Sequence, residues 1–223
     1  MHFVLKNLTS VQNKVNEIVQ EKQLKTNPKI IVVTKKFSLD KIMPLIQSGH
    51  IHFGENKIQE AENKWTSIKT NFPNIMLHFV GKLQSNKAKK ALKLFDYIHS
   101  LDSPKLALKI FQYEKELNIK AKLFIQVNLA DESQKSGIEL KDLVNFYDYC
   151  SKDLHLNIIG LMCLPPADTD PQEYFKLLKN TSQKLNLHDL SMGMSSDFNK
   201  AVINGSTYLR LGTAVMGPRD VSK

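Results

Sequence analysis

The sequence predicts an α/β protein: a single (β/α)8 barrel of the TIM type with one extra helix at its N-terminus. Three observations predict it. Short apolar runs alternate with amphipathic stretches along the whole 223 residues, each run following a helical pattern. That alternation argues for βαβ units and a parallel sheet. The runs number eight, and right-handed crossovers between eight parallel strands close a barrel, with a doubly wound open sheet as the alternative. No Pro/Gly/Ser linker, tandem repeat or low-complexity tract interrupts the chain, so residues 1–223 are expected to form one domain.

Taken in order, residues 3–24 carry Val4, Leu8, Val11, Val15, Ile18 and Val19 at helical spacing. Pro28 then precedes the first strand, 30–33. Ser38 is placed to cap a helix containing Ile42, Leu45 and Ile46, with Gly49 past its end. A second strand at 50–53, a helix at 55–68 and a third strand at 77–80 follow. Helix 85–95 leads to strand 97–99, and Ser103-Pro104 opens helix 103–117 with proline in the first turn. Then come strand 121–128, helix 140–152, strand 156–161, helix 171–185 and strand 190–192. Helix 196–204 ends before Gly205, and 207–211 is the last strand. Strands 97–99 and 190–192 have the least support from periodicity.

Composition narrows the function classes. No run of 18 apolar residues exists, so no spanning helix is expected. The first ten residues lack a basic segment followed by an apolar one, so export is not expected. Two cysteines, Cys150 and Cys163, cannot build a disulfide framework or a cysteine-rich zinc site, and a cytoplasmic setting is expected. The net charge of +9 raises the question of nucleic acid. Yet Arg210 and Arg219 are the only arginines among 31 basic residues. Base reading and bidentate phosphate clamps favour arginine, so the lysines are read as solvated faces. The same bias singles out the two arginines.

Barrel chemistry sits at the C-terminal ends of the strands. The stretches 191–197 and 210–213 follow or end the last two strands, where barrels often hold phosphate. Gly193 permits close backbone approach, and Ser195 and Ser196 stand at the expected start of helix 196–204. Gly212 and Thr213 repeat the pattern on the next loop. Alternation puts Ile31, Val33 and Lys35 on one face. An inward lysine at a strand end is desolvated, its pKa lowered and its amine nucleophilic. The plainer reading of Lys35 is a solvated residue where the strand stops. By the same parity Arg210 lies with Tyr208 and Gly212; an inward arginine with no acid beside it suggests a ligand acceptor.

These blocks resemble the pyridoxal phosphate homeostasis protein family, small barrels binding pyridoxal 5′-phosphate (PLP) and related to the N-terminal domain of alanine racemase. The resemblance rests on V-V-T-K (32–35), H-F-G-E-N-K-I-Q-E (52–60), H-F-V-G-K-L-Q-S-N-K (78–87), S-G-I (136–138) and G-L-M (160–162). It continues through L-S-M-G-M-S-S-D (190–197), A-V-I-N-G-S-T (201–207) and R-L-G-T-A-V-M-G (210–217). It implies that Lys35 holds PLP as an aldimine and that Arg210 meets the pyridine nitrogen. It implies a phosphate cradle of Ser195, Gly212 and Thr213, with Ser191 and Met194 close by and Asn56 and His78 in the pocket. Two positions depart from the family: Phe37 replaces a frequent second lysine, and Asp220 is followed by Val221 rather than tyrosine.

The resemblance also implies a function. An arginine at the pyridine nitrogen is donor-only and disfavours protonation there, weakening the cofactor as an electron sink. The expected role is to hold PLP in its homeostasis without processing amino acids. Its partners would be PLP and PLP-dependent apoenzymes, with no nucleic acid, membrane or metal. The alternative is a small PLP-dependent racemase or decarboxylase. It would need a second base near Lys35, for which His78 and Tyr208 are the candidates.

Overall fold

The computed structural model describes residues 2–130 and 136–218. Arg219, Asp220 and Val221, which the sequence singles out, lie outside the described residues. Eight parallel strands form the ring: β1 (Lys29–Val33), β2 (His52–Glu55), β3 (Met76–Phe79), β4 (Tyr97–Leu101), β5 (Lys122–Asn128), β7 (Ile158–Met162), β8 (Asp189–Ser191) and β9 (Tyr208–Leu211). A two-residue strand, β6 (Ile138–Glu139), pairs with the end of β5 outside the ring. The ring order is β4-β3-β2-β1-β9-β8-β7-β5, closed by pairing of β4 with β5. The expected (β/α)8 barrel is the observed fold, and the open-sheet alternative is excluded by that closure.

The helices are α1 (Phe3–Glu21), α2 (Leu39–Gln47), α3 (Ile58–Asn71), α4 (Ala88–Leu94), α5 (Pro104–Leu117), α6 (Leu143–Asp148), α7 (Gln172–Lys184), α8 (Phe198–Ile203) and α9 (Thr213–Met216). Helix α1 is the extra N-terminal helix. Its stripe of Val4, Leu8, Val11, Val15 and Ile18 is buried, and Asn7 Nδ2 donates to the Val215 carbonyl at 3.0 Å, tying it to α9. Ser103 caps α5, its Oγ accepting from the Leu106 N–H at 3.4 Å. Ser38 stands at the N-cap of α2 without a side-chain hydrogen bond.

Pleating divides the apolar residues into two layers. Outward residues such as Val32, Phe53, Leu77, Ile98, Leu123, Leu161 and Leu209 pack under the helices with Trp65, Ile110 and Phe175. Inward residues Ile31, Tyr97, Phe124, Met162 and Tyr208 fill the lumen.

Several boundaries differ from the sequence expectation. Strand β2 runs to Glu55 because Phe53 and Gly54 register with Val32 and Val33, and the Val80 N–H donates to the Glu55 carbonyl at 2.9 Å. Helix α3 therefore starts at Ile58 rather than 55. The helix expected at 140–152 is α6 followed by a widened π turn over Tyr149–Asp153. The helix expected at 196–204 begins at Phe198 instead. Residues 194–197 are a turn, closed by the Met194 N–H donating to Asp197 Oδ1 at 2.5 Å.

Candidate functional site

At the C-terminal mouth, Lys35 follows the last ladder bond of β1, in which the Thr34 N–H donates to the Gly54 carbonyl at 2.9 Å. Thr34 faces outward: its Oγ1 donates to Glu55 Oε1 at 2.8 Å. Lys64 Nζ donates to the same Oε1 at 2.8 Å and to the Thr34 carbonyl at 2.9 Å, and Trp65 Nε1 donates to Oε1 at 3.1 Å. With Thr34 pointing out, alternation carries Lys35 to the lumen side, as expected, and it is half-buried. Lys36 takes a left-handed conformation, φ 66°, in a turn closed by the Phe37 N–H donating to the Thr34 carbonyl at 3.1 Å. Its own N–H donates to Glu60 Oε1 at 2.5 Å. Phe37, where the resemblance implies a second lysine, is buried in the outer layer.

Arg210 points into the lumen from β9 and is buried. Its Nη1 donates to Ser191 Oγ at 2.6 Å and its Nη2 to the Cys163 carbonyl at 2.9 Å. Both partners are neutral, so the guanidinium keeps its charge without a paired carboxylate. Burial lowers its pKa, but arginine stays charged in proteins. Burial also pushes the Cys163 and Cys150 thiols up to about 12, which leaves both as inert thiols.

The loops after β8 and β9 meet as one structure. Ser195 Oγ accepts from the Ala214 N–H at 3.0 Å, and the Gly193 carbonyl accepts from the Arg210 N–H at 2.9 Å. Gly193 has φ +92°, and a Cβ there would lie 2.6 Å from Ala201 Cβ and 2.9 Å from Leu209 Cδ2, so only glycine fits. Gly212 caps and Thr213 begins the single turn of α9, half-buried and exposed respectively. Met194 is exposed on the same loop. Across the mouth Asn56 is half-buried, and its backbone packs on Gly81, where a Cβ would lie 2.3 Å from the Asn56 carbonyl oxygen.

The structure thus brings Lys35, Arg210, Ser191, Ser195, Gly212 and Thr213 to adjoining strands β1, β9 and β8. It places His78 elsewhere, inside the lumen. His78 Nε2 is 3.0 Å from His52 Nδ1, and His78 Nδ1 is 3.0 Å from His99 Nε2. His99 Nδ1 is 2.7 Å from Ser191 Oγ. Both ring nitrogens of His78 are therefore engaged. Burial holds His78 and His99 well below the usual imidazole range. Tyr208 lies deep in the lumen, and its hydroxyl accepts from Lys29 Nζ at 2.9 Å at the opposite end of the barrel. Neither candidate second base presents a free group at the mouth. Sequence reasoning missed His52, His99 and the Glu55–Lys64 anchor. Inward parity of one histidine in each of β2, β3 and β4 was the signal that could have found the first two.

A closed barrel with an inward strand-end lysine, a buried arginine hydrogen-bonded to neutral groups and two hydroxyl-bearing loops at one mouth defines a barrel built for an anionic small ligand. Residues 7–220 match the family described as alanine racemase, N-terminal domain. The chain is 34% identical to the pyridoxal phosphate homeostasis protein of Pasteurella multocida, over 97% of this chain and 98% of that one. It is 36% identical to that of a Synechocystis species, over 86% and 91%. PipY of Synechococcus elongatus, solved with PLP bound, superposes with a TM-score of 0.80 at 34% identity, covering 91% of this chain and all of that one. A Clostridium difficile alanine racemase shares the fold at a TM-score of 0.72 and 13% identity, over 96% of this chain and 56% of that one. The chain belongs to the pyridoxal phosphate homeostasis protein family, within the alanine racemase N-terminal domain group.

Proposed function

We propose that this chain, acting as one domain over 1–223, binds PLP at the C-terminal mouth and holds it reversibly as part of PLP homeostasis. The observation that carries the reading is Arg210: a buried, inward cation held only by neutral partners, on the strand beside Lys35. The donor set fits PLP, with an amine for its aldehyde, a guanidinium donor for its ring nitrogen, and hydroxyls and backbone on two tied loops for its phosphate. When bound, PLP supplies an aldehyde carbon that amines add to and leave from.

Each residue then has a task. Lys35 presents its Nζ from a turn fixed by the Thr34–Glu55–Lys64 cluster. Ser195, Gly212 and Thr213 orient the phosphate, with Ser191 fixing Arg210 and Met194 and Asn56 bordering the mouth. Arg210 would meet the ring nitrogen as a donor-only group whose charge disfavours a proton there. His78 and Tyr208 are engaged in the lumen, so among the described residues neither candidate second base is placed for proton transfer on an amino acid at the mouth. This supports a holder of PLP that passes it to PLP-dependent apoenzymes in the cytoplasm. Among the described residues no helix is long and apolar enough to cross a membrane.

The test is visible absorbance before and after borohydride. Wild type incubated with PLP should be yellow, and reduction should fix PLP on Lys35. Lys35→Ala should stay colourless with an unchanged fold, while Lys36→Ala should remain yellow. Colour retained in Lys35→Ala would move the attachment to another lysine.

A further inference from the structure

The lumen contains a continuous path that the proposed chemistry does not use. It runs from Arg210 Nη1 to Ser191 Oγ at 2.6 Å, to His99 Nδ1 at 2.7 Å, from His99 Nε2 to His78 Nδ1 at 3.0 Å, and from His78 Nε2 to His52 Nδ1 at 3.0 Å. His52 lines a cavity of about 480 Å³ at the opposite, N-terminal end of the barrel, with Asn27, Lys29 and His50. The path therefore joins the ligand mouth to the far face.

We propose that Ser191, His99, His78 and His52 form a one-way hydrogen-bonded chain that positions Arg210, and that Arg210 sets its direction. A guanidinium only donates, so Ser191 Oγ must accept from it. The Ser191 hydroxyl then has one acceptor within reach among the described residues, His99 Nδ1; otherwise a buried O–H is left unmade. With Nδ1 accepting, neutral His99 carries its proton on Nε2 and donates to His78 Nδ1. The same step repeats, so His78 donates from Nε2 to His52 Nδ1. Each bond polarises the next in the same sense. Charging either buried histidine would turn an acceptor nitrogen into a second donor facing a donor. Burial and the nearby Arg210 charge oppose it at His99, as burial, His99, His52, Lys29 and Lys122 do at His78. At the far end His52 faces His50, Lys29 of β1, Lys122 of β5 and Asp96 before β4. The neutral chain thus holds Ser191 as a fixed acceptor and Arg210 as a fixed donor, its hydrogen bonds going to neutral groups while Asp197 acts on it only through space. His52, His78 and His99 act through Arg210 as positioning residues.

The consequence for ligand rests on the PLP site proposed above; the tautomer pattern does not. The experiment is NMR of the ligand-free protein with 15N-labelled histidine. His78 and His99 should each appear as the single neutral Nε2–H tautomer between about pH 8 and about pH 5.5. An Nδ1–H tautomer or an imidazolium at either overturns the proposal. Arg210→Met should release His99 and His78 into tautomer mixtures; if that variant does not fold, Ser191→Ala should do the same to His99. A folded variant that keeps the single Nε2–H forms overturns the role of Arg210. With PLP as the probe, His99→Phe should weaken binding roughly tenfold, the scale of one hydrogen bond to a charged group. His99→Asn, which keeps an acceptor toward Ser191, should recover most of that. Equal losses in the two variants overturn the positioning role. Absence of PLP binding by wild type overturns the site reading and leaves the NMR result to decide this one.

Discussion

Ser195 shows how a side chain can serve a ligand indirectly. Its Oγ accepts from the Ala214 N–H and so fixes the turn that carries Thr213. Thr213 has no such structural bond among the described residues and stands exposed at the mouth. A hydrogen bond from its hydroxyl to a phosphate is worth roughly 1.5–3 kcal/mol. Thr213→Val should weaken PLP about ten- to a hundredfold, measured by fluorescence or absorbance titration, with thermal stability unchanged. Equal affinity of wild type for pyridoxal and PLP would remove the phosphate site from this mouth. Arg210 yields a second expectation. Wild type incubated with alanine in deuterated water should exchange the α-proton negligibly, because Arg210 at the ring nitrogen would disfavour its protonation. Rapid exchange with racemisation would make the chain an enzyme. The inward direction of Lys35 and Arg210 was legible from parity along each strand, although parity alone left Lys35 open to a solvated strand-end reading. The histidine chain was not, because each histidine is a lone residue in its own strand. Only ring register sets His78 beside Gly54, where an added Cβ would lie 2.9 Å from Ile31 Cγ2.

The elements with the weakest sequence signal, around 97–99 and 190–192, are strands because the ring demands them. Residues 97–99 begin β4, which has partners on both sides, and β8 bridges β7 and β9. Periodicity over three residues says little, whereas two flanking ladders decide the conformation. Strand β6 and helix α9 escaped for the opposite reason: two and four residues are too short to show a period. Helix α8 started two residues later than expected because Asp197 closes the 194–197 turn ahead of it. That turn depends on Gly193. Gly193→Ala puts a methyl 2.6 Å from Ala201 Cβ at a φ of +92°, so both overpacking and backbone strain apply. The expected cost is about 2–4 kcal/mol, read by urea denaturation. PLP affinity should fall with it, since the β8 and β9 loops share the Gly193–Arg210 bond. A stable Gly193→Ala protein with normal affinity would show that the loop bends elsewhere to accommodate the methyl.

For the whole molecule, the buried histidines set the response to acid. His78 and His99 are fully buried, and burial is the first cause holding both well below the value an unfolded chain would give them. His52 is lowered to about 4, again chiefly by burial, then by His50, Lys29 and Lys122. A group whose folded pKa is depressed contributes no penalty above its unfolded pKa. Below that value the unfolded chain binds a proton that the native barrel refuses, and stability falls until the folded pKa is reached. For histidine the loss therefore begins near pH 6.5. Each fully buried histidine still neutral adds about 1.4 kcal/mol per pH unit to the slope. Unfolding free energy measured by urea titration should be flat from about pH 8 to about pH 7 and decline steeply below about pH 6. In His78→Phe the absolute stability will be lower, because His52 and His99 lose a partner, but the slope below pH 6 should be shallower by about one histidine's share. An unchanged slope in that variant would show that the acid sensitivity arises outside the lumen, in the carboxylates of the outer layer.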